Sequence, residues 1–217
     1  MIRAVLFDFY DTLATAPWSH LEMLLADRMS VPAEDVRQGF HSIGEALLTG
    51  RFDSIEADVE AMAAACGMPA EPRLIDDLVD IEVRFLGSQV ALFDDAEPTM
   101  HHLREAGVAT AIVSNCSRTT APLMEQLGLS STADLVVMSY QVGAAKPSAA
   151  IYEYALRGLG VRPGEALFVD DQVGFLDGAR RSGLATVQIV HDQSSNDRPP
   201  SGGHEVINNL SELLMLV

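Results

Sequence analysis

Positive charge is scarce in this chain: 14 lysines and arginines face 31 aspartates and glutamates, a formal net charge of −17. A field of that sign repels nucleic-acid backbones and anionic membrane surfaces, so neither is expected as a partner. It also opposes anionic substrates, so any anion site must supply its own local positive charge, and a bound divalent cation would do that. Cysteine is nearly absent. Cys66 and Cys116 have no CxxC spacing and fall in segments expected to lie apart, which argues for reduced, semi-buried thiols. Long apolar runs are missing too: no segment reaches the roughly 18 uncharged apolar residues of a membrane span. The N-terminal run meets Asp8 too early for a signal peptide, and a cytoplasmic monomer or homodimer is expected.

The rest of the composition, 48% hydrophobic and 21% charged, is that of an ordinary folded protein. A chain of 217 residues hides roughly 70% of its unfolded surface, enough for one large domain or a core with a smaller companion. Ile2 to Phe7 is a continuous apolar run that stops at Asp8, the pattern of a strand buried on both faces of a parallel sheet. From about Pro17 to Ser88 the period changes. Trp18–Met29, Ala33–Leu48, Ser54–Ala65 and Arg73–Phe85 carry apolar residues at helical intervals, broken at Pro32, Gly50 and Gly67-Met68-Pro69. This predicts an all-helical insert.

Beyond Asp94 helices and strands alternate. Helices are expected at Glu97–Ala106, Thr119–Leu127, Ala149–Leu159, Gly174–Ser182 and Leu210–Leu216, and strands at Ala109–Val113, Asp134–Met138, Ala166–Val169 and Ala185–Ile189. That alternation means βαβ units, hence a three-layer, doubly wound α/β fold around a parallel sheet. His191 to Gly203 is polar and reads as an exposed loop. The expected division is a core formed by residues 1–14 and 89–217, with 15–88 as a helical companion.

In such sheets ligands bind outside the carboxyl ends of the strands, and there the sequence becomes specific. Asp8-Phe9-Tyr10-Asp11-Thr12 follows the first strand, and Ser114-Asn115-Cys116-Ser117 the second. Gly143-Ala144-Ala145-Lys146-Pro147 follows the third, and Asp170-Asp171-Gln172 the fourth. Acid, hydroxyl, lysine and paired acids in that order resemble the haloacid dehalogenase superfamily over nearly the whole chain, and the helical stretch is similar to the cap many members insert after the first strand.

The resemblance implies a hydrolase in which Asp8 is the nucleophile and forms a covalent aspartyl intermediate. It makes Ser114 and Lys146 the groups that hold the transferring group. Thr12 is a further substrate-side candidate, as is Asn115 in the same strand-end loop as Ser114, and Arg51, beside Gly50 between two helices, is a candidate from its position. Three carboxylates in one cleft with only Lys146 to offset them call for a hard cation. By resemblance Mg²⁺ would take Asp8, Asp171 and the backbone carbonyl of Tyr10, with Asp170 direct or through water. Phe175 stands where some members carry another acid, and Asp177 reads as a solvated acid. The implied substrate is a small phosphomonoester.

Tyr10 departs from that pattern. Phosphatases of the superfamily carry a second aspartate there as general acid and base, and Asp11 falls one place late. A tyrosine resembles instead the 2-haloacid dehalogenases, whose halide leaving group needs no proton. Asp170 and Asp171 argue the other way, because that branch carries neutral residues there and uses no metal. A third reading is a member that binds a phosphorylated ligand without useful turnover. Arg28, Arg37, Arg51, Arg73 and Arg84 of the insert are candidate anion contacts, Trp18 could shape the pocket mouth, and Ala14-Thr15 and Gly87-Ser88 are candidate hinges. Cys116 lacks a base partner for a nucleophilic role. The adjacent His101 and His102 point to different helix faces and read as surface and semi-buried residues.

Overall fold

The computed structural model describes residues 1–191 and 202–217. In chain order the elements are β1 (Ala4–Phe7), β2 (Ala14–Thr15), α1 (Trp18–Met29), α2 (Ala33–Leu48), α3 (Ile55–Ala65), α4 (Pro72–Gln89), β3 (Ala91–Leu92), α5 (Ala96–Glu105) and β4 (Ala109–Ser114). Then follow α6 (Thr120–Gln126), α7 (Leu129–Thr132), β5 (Leu135–Met138), α8 (Ser139–Val142), α9 (Ala149–Leu159), β6 (Ala166–Asp170), α10 (Val173–Arg181), β7 (Ala185–Ile189) and β8 (Glu205–Ile207). Short 3₁₀ turns occupy Pro163–Glu165 and Leu210–Met215.

Six strands form one sheet in the order β5-β4-β1-β6-β7-β8, every neighbouring pair parallel. Because side chains alternate along a strand, β1 sends Ala4 and Leu6 to one face, where Ile151 and Tyr152 of α9 and Leu176 and Ala179 of α10 cover them. Val5 and Phe7 go to the other, with Met100 and Leu103 of α5 and Leu123 of α6. This is the three-layer α/β architecture. The chain leaves β1 toward β4 on one side and β6 on the other, so the switch in strand order, and with it the ligand cleft, lies at the carboxyl end of β1.

The inserted helices form where the periodicity places them. Ser54 caps α3, its hydroxyl accepting from the Ala57 amide at 3.2 Å, and Pro72 opens α4 at a position where no amide is needed. The entry and exit of the insert are tied by a small antiparallel ribbon, β2 with β3. The candidate hinges therefore have different surroundings: Ala14-Thr15 is β2 itself, while Gly87-Ser88 lies inside α4, which runs on to Gln89.

Several expectations need correction. The last helix is a 3₁₀ turn; its buried residues Leu210 and Leu213 stand three apart, the period of that geometry. The two-residue β2 and β3, the three-residue β8 and the four-residue α7 and α8 are too short to leave a periodic signal. His102 is exposed like His101. Most of the polar loop expected from His191 onward lies outside the described residues, but His191 itself is buried: its ring stacks on Phe93 at 3.5 Å and Nε2 meets the Thr12 carbonyl at 3.0 Å. Among the described residues no helix is long and apolar enough to cross a membrane.

Candidate active site

Asp8 continues the line of β1, its amide donating to the Val169 carbonyl at 2.9 Å. Ser114 and Asp170 are the last residues of β4 and β6, fixed in register opposite Met138 and Gln188. The sheet thus delivers an acid, a hydroxyl and a second acid to the carboxyl ends of three adjacent strands. Lys146 comes from the loop after α8. That loop can press against α10 because residue 178 is glycine; a Cβ there would come within 2.7 Å of the Pro147 carbonyl oxygen.

The Lys146 ammonium, fully buried, lies 2.6 Å from Asp8 Oδ1 and 2.8 Å from Asp170 Oδ2. Burial alone would lower its pKa, but the two carboxylates override that and hold it above the ordinary lysine value. The rings of Phe175 and Phe168 stand 4.8 and 5.4 Å from the same nitrogen, so Phe175 faces the cation where an acid was the alternative. Lys146 is also the only lysine in the sequence. Phe9 N donates to Asp8 Oδ1 at 2.7 Å, so this amide and the Lys146 ammonium share one carboxylate oxygen.

Asp171 completes a trio: one carboxylate oxygen each from Asp8, Asp170 and Asp171 lie within 4.8 Å of one another, all three residues buried. Asp170 Oδ1 accepts from the Gln172 amide at 2.7 Å. Burial pushes the Asp170 carboxyl well above the usual range; Lys146 opposes this, while Asp8 and Asp171 add to it. Three buried acids and one lysine leave an excess of negative charge that hard oxygen donors of this kind neutralise with a divalent cation. The donor set fits Mg²⁺.

The structure sorts the remaining sequence candidates. Thr12 is fully buried at the turn after Asp8, its Oγ1 without a hydrogen-bond partner among the described residues. Among the described residues the Ser114 hydroxyl is likewise buried with no oxygen or nitrogen partner, and it meets the Cys116 thiol, a weak partner. Burial pushes that thiol up to about 12, consistent with an inert cysteine. Asn115 was expected to reach the substrate, but its amide is engaged by Lys146: Oδ1 accepts from Lys146 N at 2.7 Å and Nδ2 donates to Lys146 O at 3.0 Å. It braces the lysine. Tyr10 Oη sits 3.2 Å from Thr120 Oγ1, and its ring packs 4.5 Å from Phe9 and 4.7 Å from Trp18. Burial holds the phenol above its ordinary pKa. Asp11 takes a left-handed backbone at φ 59°, a conformation aspartate tolerates.

Arg51 is not brought to the cluster; its guanidinium is exposed and paired with Glu45 at 2.9 Å. Arg28 and Arg84 pair with surface acids, Arg37 pairs with the half-buried Glu22 and the exposed Glu34, Arg73 is exposed, and Asp177 is a surface acid held by Arg180. The arginine that does join insert to core is Arg118, which the sequence reading passed over. Its Nη2 donates to the carbonyls of Gly50 and Phe52, and its backbone amide lies 3.4 Å from Asp58 Oδ2. Gly50 is required there: at φ 68° a Cβ would fall 2.1 Å from the Tyr140 carbonyl oxygen. Glu82 of α4 was also missed. It is buried and accepts from Thr119 Oγ1 at 2.6 Å.

Between the insert and the strand ends lies a cavity of roughly 300 Å³. Tyr10, Asn115 and Cys116 form its core side, and Trp18, Phe40 and Leu86 are among the apolar residues that roof it. Trp18 therefore both lines the cavity and packs, its ring 6.2 Å from Phe85.

A parallel sheet with a carboxylate at the end of its central strand, a buried lysine against it and an acid pair at the end of the neighbouring strand is an arrangement in which a carboxylate can act as a nucleophile. Residues 2–183 match the model of the haloacid dehalogenase-like hydrolases, and the chain belongs to that family. Its relatives span two chemistries. It is 27% identical to a glyceraldehyde 3-phosphate phosphatase of Methanopyrus kandleri, over 92% of this chain and 88% of the other. It is 26% identical to (S)-2-haloacid dehalogenase 4A of Burkholderia cepacia, over 100% of this chain and 95% of the other. The fold matches the L-2-haloacid dehalogenase of Xanthobacter autotrophicus with chloropropionic acid covalently bound, with a TM-score of 0.70 and 22% identity over 100% of this chain and 98% of that one.

Proposed function

We propose that this chain is a Mg²⁺-dependent phosphatase acting on a small phosphomonoester, with α1–α4 as a cap over the site. The observation that carries this reading is the trio Asp8, Asp170 and Asp171, buried within 4.8 Å of one another with a single lysine among them. Asp8, Asp171 and the Tyr10 carbonyl would hold the cation, with Asp170 direct or through water. When bound, it would neutralise the carboxylates and the phosphoryl oxygens, so that an anionic substrate can approach an anionic nucleophile.

The protein's own groups then divide the work. Lys146 and the Phe9 amide hold Asp8 Oδ1 while Oδ2 attacks phosphorus. The P–O bond to the alcohol breaks and the alkoxide takes its proton from water; a second water then cleaves the aspartyl phosphate to return Asp8 and phosphate. The buried hydroxyls of Ser114 and Thr12 would donate to phosphoryl oxygens. A buried polar group without a partner calls for an explanation, and a substrate oxygen is one. Asn115 braces Lys146 from behind. Tyr10, neutral and bonded to Thr120, contributes packing where other phosphatases of the family have their acid.

A second reading, 2-haloacid dehalogenase, is favoured by Tyr10 and by the full-length likeness to the Burkholderia cepacia enzyme. Against it, a haloacid carboxylate would have to lie beside the buried acid pair, and no described residue lining the cavity is lysine, arginine or histidine. Two bare carboxylates obstruct such a ground state, whereas a missing general acid only slows phosphoryl transfer. The deciding experiment follows phosphate release from a phosphomonoester panel with and without Mg²⁺, against Asp8→Asn. Release that requires both supports the phosphatase; halide release from 2-haloacids without metal supports the alternative.

A further inference from the structure

A phosphomonoester with its phosphoryl group at Asp8 must put the rest of the molecule somewhere. The cavity of roughly 300 Å³ is bordered on its core side by Tyr10, two residues past Asp8, and Asn115, the next past Ser114, and we take it as the space that receives the rest. Its roof is apolar, and none of the described lining residues is cationic. Two are acids. Glu22 at the rim is held from outside by Arg37, itself 56% exposed, at 2.8 Å. Glu82 lies within, 9% exposed, and its partner is the Thr119 hydroxyl at 2.6 Å rather than a cation. Burial pushes its carboxyl above the usual range, with nearby Asp58 adding to the shift.

An anion placed in this cavity would lose its water without gaining a counter-charge, and it would stand beside Glu82. A neutral or cationic group with an N–H or O–H would instead satisfy an acceptor that holds a single hydroxyl partner. Resting on the phosphatase reading, we infer that the substrate is the phosphomonoester of a largely apolar alcohol, carrying no second anionic group and presenting a hydrogen-bond donor to Glu82. Compounds with a second phosphate or a carboxylate are excluded by the cavity, and Glu82 is the residue that sets this preference.

The test is a matched series on benzyl phosphate bearing, in the para position, hydrogen, hydroxymethyl, aminomethyl or carboxylate. Turnover is measured with Mg²⁺ in the native protein and in Glu82→Gln. Binding to Asp8→Asn is followed in parallel through Trp18, the chain's one tryptophan, which lines the cavity. The carboxylate should fall on the order of 100-fold below the unsubstituted compound in kcat/KM, as close like charges cost several kcal/mol. The hydroxymethyl or aminomethyl compound should exceed it by about tenfold, one net hydrogen bond, the two arms distinguishing a hydroxyl from an ammonium donor. At a pH high enough to ionise Glu82, whose buried carboxyl otherwise favours the neutral form, Glu82→Gln should shrink the carboxylate penalty about tenfold or more and remove any lead of aminomethyl over hydroxymethyl. The inference is overturned if the carboxylate is bound and turned over within about threefold of the unsubstituted compound, or if Glu82→Gln leaves every ratio unchanged. Absence of any Asp8-dependent release sinks the phosphatase reading instead; the Trp18 titrations then still decide whether the cavity rejects anions.

Discussion

Replacing Tyr10 by aspartate puts a carboxyl group two residues past Asp8, where phosphatases of the family carry their general acid. In the native protein the phenol is bonded to Thr120 at 3.2 Å, and burial keeps it neutral, so it is poorly placed to take up and return a proton. A positioned general acid contributes about 10²- to 10⁴-fold, roughly 3 to 5.5 kcal/mol of barrier. That gain applies where the leaving alkoxide needs a proton and is small where the leaving group is already stable as an anion. Tyr10→Asp is therefore expected to raise kcat for benzyl phosphate about 100-fold or more, and for 4-nitrophenyl phosphate by less than about tenfold. Tyr10→Phe should change both by less than about threefold. The aspartate also forfeits the ring contacts with Phe9 and Trp18 at 4.5 and 4.7 Å, two aromatic pairs of about 0.5–1.5 kcal/mol each beyond the burial of the ring itself, so its stability should drop by more than about 1–3 kcal/mol. Steady-state kinetics on the two substrates and urea unfolding measure these quantities. An unchanged ratio between the substrates in Tyr10→Asp would refute the argument that this position is where the acid is missing.

Three further perturbations follow from the buried charges. Lys146→Met strips Asp8 and Asp170 of contacts at 2.6 and 2.8 Å and should cost about 3–5 kcal/mol in metal-free urea unfolding, with part of the loss recovered in Mg²⁺; equal losses with and without the ion would contradict the shared charge balance. Mg²⁺ at about 100 times its dissociation constant should stabilise the native protein by about 2.7 kcal/mol, a rise of roughly 5–10 °C in Tm, and Asp171→Asn should abolish most of it. Glu82 has a raised folded-state pKa, so the native state holds that proton more tightly than the unfolded chain. Stability is therefore unaffected below the unfolded value and falls as pH rises through the folded one. The Tm advantage of Glu82→Gln over the native protein should grow from pH 4 to pH 8, taking these as roughly the ends of the range in which proteins are ordinarily stable; a pH-independent difference would count against a buried carboxyl there.

The parts of this molecule legible in its sequence are those with local signals. Asp8, Ser114 and the Asp170-Asp171 pair announce themselves because each ends an apolar strand run, and a parallel sheet carries strand ends to one place. Lys146, in the loop after α8, is marked instead by the Gly143-Ala144-Ala145-Lys146-Pro147 stretch and by being the only lysine. The long inserted helices were equally visible in their periodicity. What stayed hidden depends on tertiary geometry. Nothing in the spacing of α4 says that Glu82, one acid among several on that helix, is the one turned inward to Thr119. Arg118 offered a faint signal, a lone base four residues past Ser114, but its partners, the Gly50 and Phe52 carbonyls, lie in the insert. Arg51 beside Gly50 looked placed for an anion, yet the left-handed turn sends it to solvent while Arg118 occupies the backbone there. Asn115 was legible as a site residue but not as a brace, since its partner is 31 positions away.

The central claim is that Asp8 takes a phosphoryl group from the substrate. Acid-quenching the protein during turnover of benzyl phosphate with Mg²⁺, followed by mass analysis of its peptides, tests it directly. The account predicts a mass increase of one phosphoryl group on the peptide containing Asp8, absent from Asp8→Asn and from samples without metal. An Asp8 peptide that stays unmodified by phosphomonoesters yet gains an ester on exposure to a 2-haloacid would contradict it.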